Sequence, residues 1–165
     1  MLIWFAASAV VVTFVVFRTP TIDYRLVALG AIVPVVEAPW GSGPLHALIM
    51  PTLVLIVVMS LTHRRRLVRR QWLGLPIGMY LHLVADALAN VPEAFWWPFL
   101  GWSFGGADTP EVARGWWSAV LEVVGVLMAL WAYRRFGLDD RSRRDVFLRT
   151  GQLDRAIVGH EATGC

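Results

Sequence analysis

The chain has 165 residues, of which 57% are hydrophobic, and its formal net charge at neutral pH is only +3. A mean hydropathy of +0.58 is too high for an ordinary soluble domain and favours a small membrane protein. The low net charge gives no support to a nucleic-acid partner, and the single cysteine, Cys165, excludes an intrachain disulfide bond.

Five apolar stretches separated by helix breakers predict an all-α, polytopic bundle of about five membrane spans. The first covers 2–17, and the second covers 20–37 with Thr19 as its expected N-cap. The third runs from 44 to 62 after a turn rich in glycine and proline, the fourth from 71 to 90, and the fifth from 115 to 133. We therefore predict a transmembrane domain over 1–135 and a polar tail over 136–165.

The arginines predict an orientation for this bundle. If the N-terminus lies outside, fourteen of the fifteen arginines fall on one side, in the loops 18–25 and 63–70 and in the tail, and only Arg114 lies opposite. The positive-inside rule makes that side cytoplasmic. The protein is then integral to the plasma or inner membrane, and a cluster of tryptophans lies at its outer interface: Trp96, Trp97, Trp102, Trp116 and Trp117.

Five polar residues are expected at one depth in the outer half of the bundle. His82 and Asp86 are four residues apart and share a face of the fourth helix. Glu37 ends the second span, His46 begins the third, and Glu122 lies about two turns into the fifth. An ionisable side chain is costly at membrane depth, so we expect these groups to satisfy one another.

A divalent metal would satisfy the whole set. Imidazole and carboxylate ligands suit zinc best, and manganese or iron are alternatives. We therefore predict Glu37, His46, His82 and Asp86 as metal ligands, and Glu122 as a general base or as a group that orients a histidine. The alternatives are a hydrogen-bonded packing network, in which each histidine is a structural residue, and snorkelling of Glu37 to the interface.

The segment Tyr80-Leu-His82-Leu-Val-Ala-Asp86, followed by Trp97-Pro98-Phe99, resembles the signature of the membrane-bound metal-dependent hydrolases (YdjM-like). The stretch from Gly30 through Pro34 to Glu37 is similar to that family's Gly-x-x-x-Pro-Asp-x-Asp segment, and the turn before His46 is similar to its paired-histidine motif. Three family positions differ here, since they hold Val35, Gly41 and Ala47.

This resemblance implies a metal-dependent hydrolase. A site near the outer aromatic interface favours a lipid or a lipid-linked ester or phosphoester as the substrate, attacked by a metal-activated water. The competing hypothesis is a non-catalytic membrane subunit or scaffold with a structural polar or metal site, either as a homo-oligomer or in a larger membrane complex. Proton conduction is less favoured, because the cytoplasmic halves of the spans hold few ionisable groups.

Overall fold

The computed structural model describes residues 1–40, 43–86, 95–99 and 115–159, and every regular element within these ranges is helical. The prediction of an all-α protein is therefore confirmed for the described residues. The α-helices are α1 (Leu2–Phe17), α2 (Tyr24–Ile32), α3 (Ile49–Leu61), α4 (Arg66–Trp72), α5 (Gly74–Ala85), α6 (Trp117–Arg135), α7 (Arg141–Thr150) and α8 (Arg155–Gly159), with 3₁₀ helices at Val33–Trp40 and Pro44–His46.

The second predicted span is shorter as an α-helix than the sequence suggested. Asp23, not Thr19, is the N-cap, because its carboxylate accepts hydrogen bonds from the backbone N–H groups of Arg25 and Leu26. The α-helix ends at Ile32, and the chain continues as a 3₁₀ helix over Val33–Trp40. Pro34 lacks the N–H that would continue the α-helical pattern, which explains this change.

Helix α4 includes residues 66–70, which were predicted as part of the loop 63–70, and Leu73 separates it from α5, so the fourth predicted span is not one continuous helix. Pro76 has no N–H to donate to the carbonyl of Trp72, so the helical hydrogen-bond pattern is interrupted one turn earlier. The continuation of this span to residue 90 lies outside the described residues.

One described helix, Trp117–Arg135, is both long and apolar enough to cross a membrane, while Leu2–Phe17 and Ile49–Leu61 are apolar but shorter. Only 11% of the most apolar stretch of α6 is buried within the protein. The expectation of five spans and their orientation goes beyond this finding and stays a prediction.

Glycines let α2 and α5 approach each other closely. Gly74 and Gly78 are spaced four residues apart on one face of α5, as in the small-residue motif of membrane helices. A Cβ on Gly78 would collide with the carbonyl oxygen of Val27, and one on Gly30 would collide with the carbonyl oxygen of Leu75. The two backbones are therefore in contact, and this contact determines where the C-terminal half of α5 lies.

Helices α1 and α6 also pack closely, and Glu122 joins them. Its carboxylate accepts hydrogen bonds from the backbone N–H groups of Ile3 (3.1 Å) and Trp4 (3.3 Å), and it lies 3.8 Å from the N-terminal ammonium group. A carboxylate at this position satisfies orphan donors and interacts favourably with the helix dipole. Glu122 thus caps α1 from α6, which is not the role of general base or histidine orienter that we predicted.

We expect Glu122→Ala to lower the free energy of unfolding by about 1–2 kcal/mol, the usual cost of losing a helix cap. Circular dichroism during thermal unfolding in detergent measures this change. Glu122→Gln keeps one acceptor oxygen and should lose less. A variant as stable as the parent protein would contradict the capping role.

The predicted tail forms two helices that pack back onto the bundle. Asp140 caps α7, and its hydrogen bonds from the backbone N–H and the hydroxyl of Ser142 lower the pKa of its carboxyl group. Leu153 and Ile157 are buried in a cluster with Tyr24 and Phe136. The tail therefore packs through Leu153 and Ile157 against the start of α2 and the end of α6.

Candidate metal centre

The end of α5 carries His82 and Asp86, the pair predicted to share one helix face. His82 lies in the last turn of α5 and Asp86 is its C-cap residue, so their spacing of four places both on the face that continues the Gly74–Gly78 stripe. The side chains of both residues are fully buried. The face that packs against α2 therefore also directs an imidazole and a carboxylate into the interior.

The ring of His82 is fixed by a backbone carbonyl of α2. Its Nδ1 lies 2.8 Å from the carbonyl oxygen of Ala31, which is available because it belongs to the last turn of α2. A carbonyl oxygen only accepts, so Nδ1 carries the proton and Nε2 of the neutral ring has the lone pair that a metal requires. Phe5 of α1 covers the ring, with 4.2 Å between the ring centroids.

His46 reaches the same place from the 3₁₀ helix Pro44–His46, and Glu37 holds its ring. The Glu37 carboxylate accepts from the backbone N–H of Leu45, and its Oε2 lies 3.2 Å from Nδ1 of His46. Because this bond occupies Nδ1, Nε2 of His46 is directed to the interior, where it is buried and has no hydrogen-bond partner among the described residues. A histidine whose second nitrogen donates to a carboxylate is the usual arrangement of a metal ligand.

The space for the Glu37 carboxylate depends on Gly43. A Cβ on Gly43 would lie 2.6 Å from Oε1 of Glu37 and 2.7 Å from Oε2, closer than real contacts allow. Any larger residue at this position would therefore displace the carboxylate from His46. Glycine at position 43 is explained by this close approach.

The side chains of His46, His82 and Asp86 converge. One ligand atom from each residue lies within 4.8 Å of the other two, and the two imidazole centroids are 5.4 Å apart. Ligands of a tetrahedral metal with bonds of about 2.1 Å are about 3.4 Å apart, so a small inward movement of these side chains completes the geometry. The three buried residues are close enough to hold a metal ion.

The structure thus brings together three of the five residues that we predicted for the site, namely His46, His82 and Asp86. We predicted Glu37 as a fourth ligand, but its carboxylate contacts Nδ1 of His46 and lies behind that ring. Glu122 is engaged by the N-terminus of α1 instead. The arrangement offers two imidazoles and one carboxylate that could hold a metal ion, and the second carboxylate supports one imidazole.

Sequence reasoning missed two partners of His82. The carbonyl of Ala31 is a backbone group, and no residue type marks it in the sequence. Phe5 lies in an apolar stretch where nothing distinguishes it from its neighbours. The Gly74–Gly78 spacing was the available indication, because it predicts which face of α5 contacts another helix.

Substitution of Glu37 by Gln tests the support of His46. The amide keeps the shape of the side chain but loses the charge that strengthens the bond to Nδ1, so we expect metal affinity to fall by about 10–100-fold. Titration with zinc and a competing chelator measures this change. Unchanged affinity would show that the carboxylate has no part in the metal centre.

Comparison with known proteins finds no family model that matches this chain, and no curated protein and no solved structure that is similar to it. The resemblance to membrane-bound metal-dependent hydrolases therefore stays a prediction from the motifs in the sequence.

Proposed function

We propose that this protein is a membrane-embedded, metal-dependent hydrolase that acts on a lipid or a lipid-linked ester or phosphoester. The convergence of His46, His82 and Asp86 is the observation that carries the proposal. Two imidazoles and a carboxylate are a ligand set that catalytic zinc sites use, and three protein ligands leave a coordination position for water. Zinc is the favoured metal, with manganese and iron as alternatives.

The outer surface of the bundle supports a membrane environment. Val123, Leu127 and Leu130 on α6 are each more than half exposed, and so is Ile56 on α3. Side chains of this kind rarely form large exposed patches on soluble monomers, whereas a lipid environment suits them. We propose five spans, with the N-terminus and the metal centre on the extracytoplasmic side and the arginine-rich segments and tail in the cytoplasm.

The residues of the centre would divide the chemistry between them. A bound metal supplies a water whose pKa is lowered toward ~7, which makes it a nucleophile at neutral pH. His46 and His82 would hold the metal through ring nitrogens, and Asp86 would offset part of its positive charge. The bonds from Nδ1 of His82 to the Ala31 carbonyl and from Nδ1 of His46 to Glu37 hold both rings in the required orientation.

A hollow lined by residues that follow His46 in the chain supports a lipid substrate. It has a volume of about 180 Å³ and is lined by Leu48, Thr52, Phe95 and Trp96 among others. The backbone N–H of Leu48, two residues after His46, donates to the carbonyl of Phe95. This hydrogen bond joins the aromatic segment 95–99 to the chain beside His46 in sequence. Leu48 and Phe95 also pack against Leu83, the chain neighbour of His82, so this apolar hollow suits a hydrocarbon chain whose ester or phosphoester would reach the metal.

The test is metal analysis and hydrolysis by the purified full chain in detergent. We expect about one equivalent of zinc, release of fatty acid or phosphate from lipid substrates, and loss of this release with a chelator. His63→Ala is the matched control, because His63 is exposed in the arginine-rich loop. Protein that holds no metal after incubation with zinc, manganese or iron would contradict the proposal.

One observation favours the second candidate, a non-catalytic membrane subunit with a structural metal. His46, His82 and Asp86 have no exposed surface, as expected of a closed structural site. In this case metal removal lowers stability, and no lipid substrate is hydrolysed. The two candidates are therefore distinguished by hydrolysis, while both require bound metal.

A further inference from the structure

An apolar groove lies between α3 and the junction of α4 with α5. It has a volume of about 470 Å³, and its walls include Met50, Val54 and Leu61 of α3 together with Trp72 and Leu75. The rise from Met50 to Leu61 is about 16 Å at 1.5 Å per residue. This length matches one leaflet of the hydrocarbon core, which is about 15 Å thick.

A group of arginines follows the groove directly in the chain. We define the arginine cluster as the five arginines between α3 and α5: Arg64, Arg65, Arg66, Arg69 and Arg70. No member forms a salt bridge with a carboxylate among the described residues. The positive charge at this end of the groove is therefore not compensated within the described part of the chain.

Two of these arginines are placed by the same residues that line the groove. The backbone N–H of Arg65 donates to the carbonyl of Thr62, which lines the groove. Arg65 directly precedes α4, and within that helix Arg69 and Trp72 are three residues apart and share one face, with Trp72 also lining the groove. Arg65 and Arg69 are thus joined in the chain to residues that line one end of the groove.

We infer that the groove and the arginine cluster bind one anionic phospholipid, with an acyl chain along α3 and the phosphate at Arg65 and Arg69. The apolar wall matches the chain, and the uncompensated arginines match the negative headgroup. A zwitterionic phospholipid fits the groove equally well but lacks the net charge. The inference rests on the membrane placement proposed above and does not require the metal centre.

Native mass spectrometry of the full chain tests this site, after extraction from vesicles of equal parts phosphatidylglycerol and phosphatidylethanolamine. We expect one retained phosphatidylglycerol. Arg65→Gln with Arg69→Gln should reduce its retention about 25-fold, since each arginine near an anionic headgroup contributes about fivefold. Arg141→Gln with Arg149→Gln removes the same charge from exposed positions of α7 and should change nothing.

Filling the groove is the second arm of the test. Val54→Phe leaves every arginine in place but occupies the channel, so it should also reduce the retention of phosphatidylglycerol. Equal retention of both phospholipids, equal loss in the α7 control variant, or displacement of the lipid by inorganic phosphate would each overturn the inference. Circular dichroism of each variant confirms its fold, and loss of metal binding has no bearing on this result.

Discussion

The substitution Asp86→Asn is expected to lower metal affinity by more than about 100-fold. Asp86 supplies the only carboxylate among the three converging ligands, and its replacement by a neutral amide removes the charge that offsets the cation. Substitution of a residue that only supports a metal ligand typically lowers metal affinity by about 10–100-fold. The loss of a ligand itself should therefore lower the affinity by more than that. The side chain keeps its shape, and therefore the packing at the end of α5 should be preserved.

Thermal unfolding with and without zinc measures this loss. A metal that binds only the folded protein raises its stability by about 2.7 kcal/mol when the free metal is at 100 times its Kd. We expect this increment in the parent protein and in His63→Ala, and its absence in Asp86→Asn and His82→Ala. An increment of the same size in all four proteins would show that the metal binds elsewhere.

The sequence predicted the helical class and part of the site for different physical reasons. Hydropathy identified the apolar helices, because burial in lipid or in a core requires apolar side chains over a sufficient length. The spacing of His82 and Asp86 placed them on one face, since a helix returns after about four residues. His46 could be assigned only from its expected depth in the membrane.

Depth alone does not determine which way a side chain points. Glu122 was expected at the level of the histidines, and its carboxylate does lie near the start of α1, whose Phe5 covers His82. The rotation of α6 about its axis turns this carboxylate toward the α1 backbone instead of toward the metal centre. That rotation follows from the contact at Gly125, where a Cβ would lie 2.5 Å from the backbone nitrogen of Trp4.

Helix boundaries were also only partly predictable. Thr19 and Asp23 are both residue types that cap helices, but only contacts in the folded protein show which one begins α2. The Asp23 carboxylate accepts from two backbone N–H groups and also pairs with Arg25 at 2.9 Å. The second span was predicted as one continuous stretch to residue 37, and the sequence did not indicate the 3₁₀ helix that forms its second half. This segment is what carries Glu37 to His46.

The substitution Gly78→Ala is expected to weaken both the fold and the metal centre. Its methyl group would collide with the carbonyl of Val27 and lie 2.8 Å from the backbone nitrogen of Ala31, and backbone atoms cannot move aside as a flexible side chain would. We expect the free energy of unfolding to fall by about 1–3 kcal/mol, the usual cost of overpacking. Thermal unfolding in detergent measures this.

The effect on the metal centre follows from the same collision. Relief of the clash requires α2 and α5 to separate, and separation lengthens the 2.8 Å bond between His82 and the Ala31 carbonyl that orients the ring. Metal affinity should therefore fall about 10–100-fold, as when other supporting bonds of a ligand are lost.

Gly115→Ala is the control, because a Cβ there meets nothing within 4 Å. Its positive φ makes alanine unfavourable locally, so it should lose some stability but no metal affinity. Equal metal affinity in Gly78→Ala and the parent protein would show that the helix contact does not position His82.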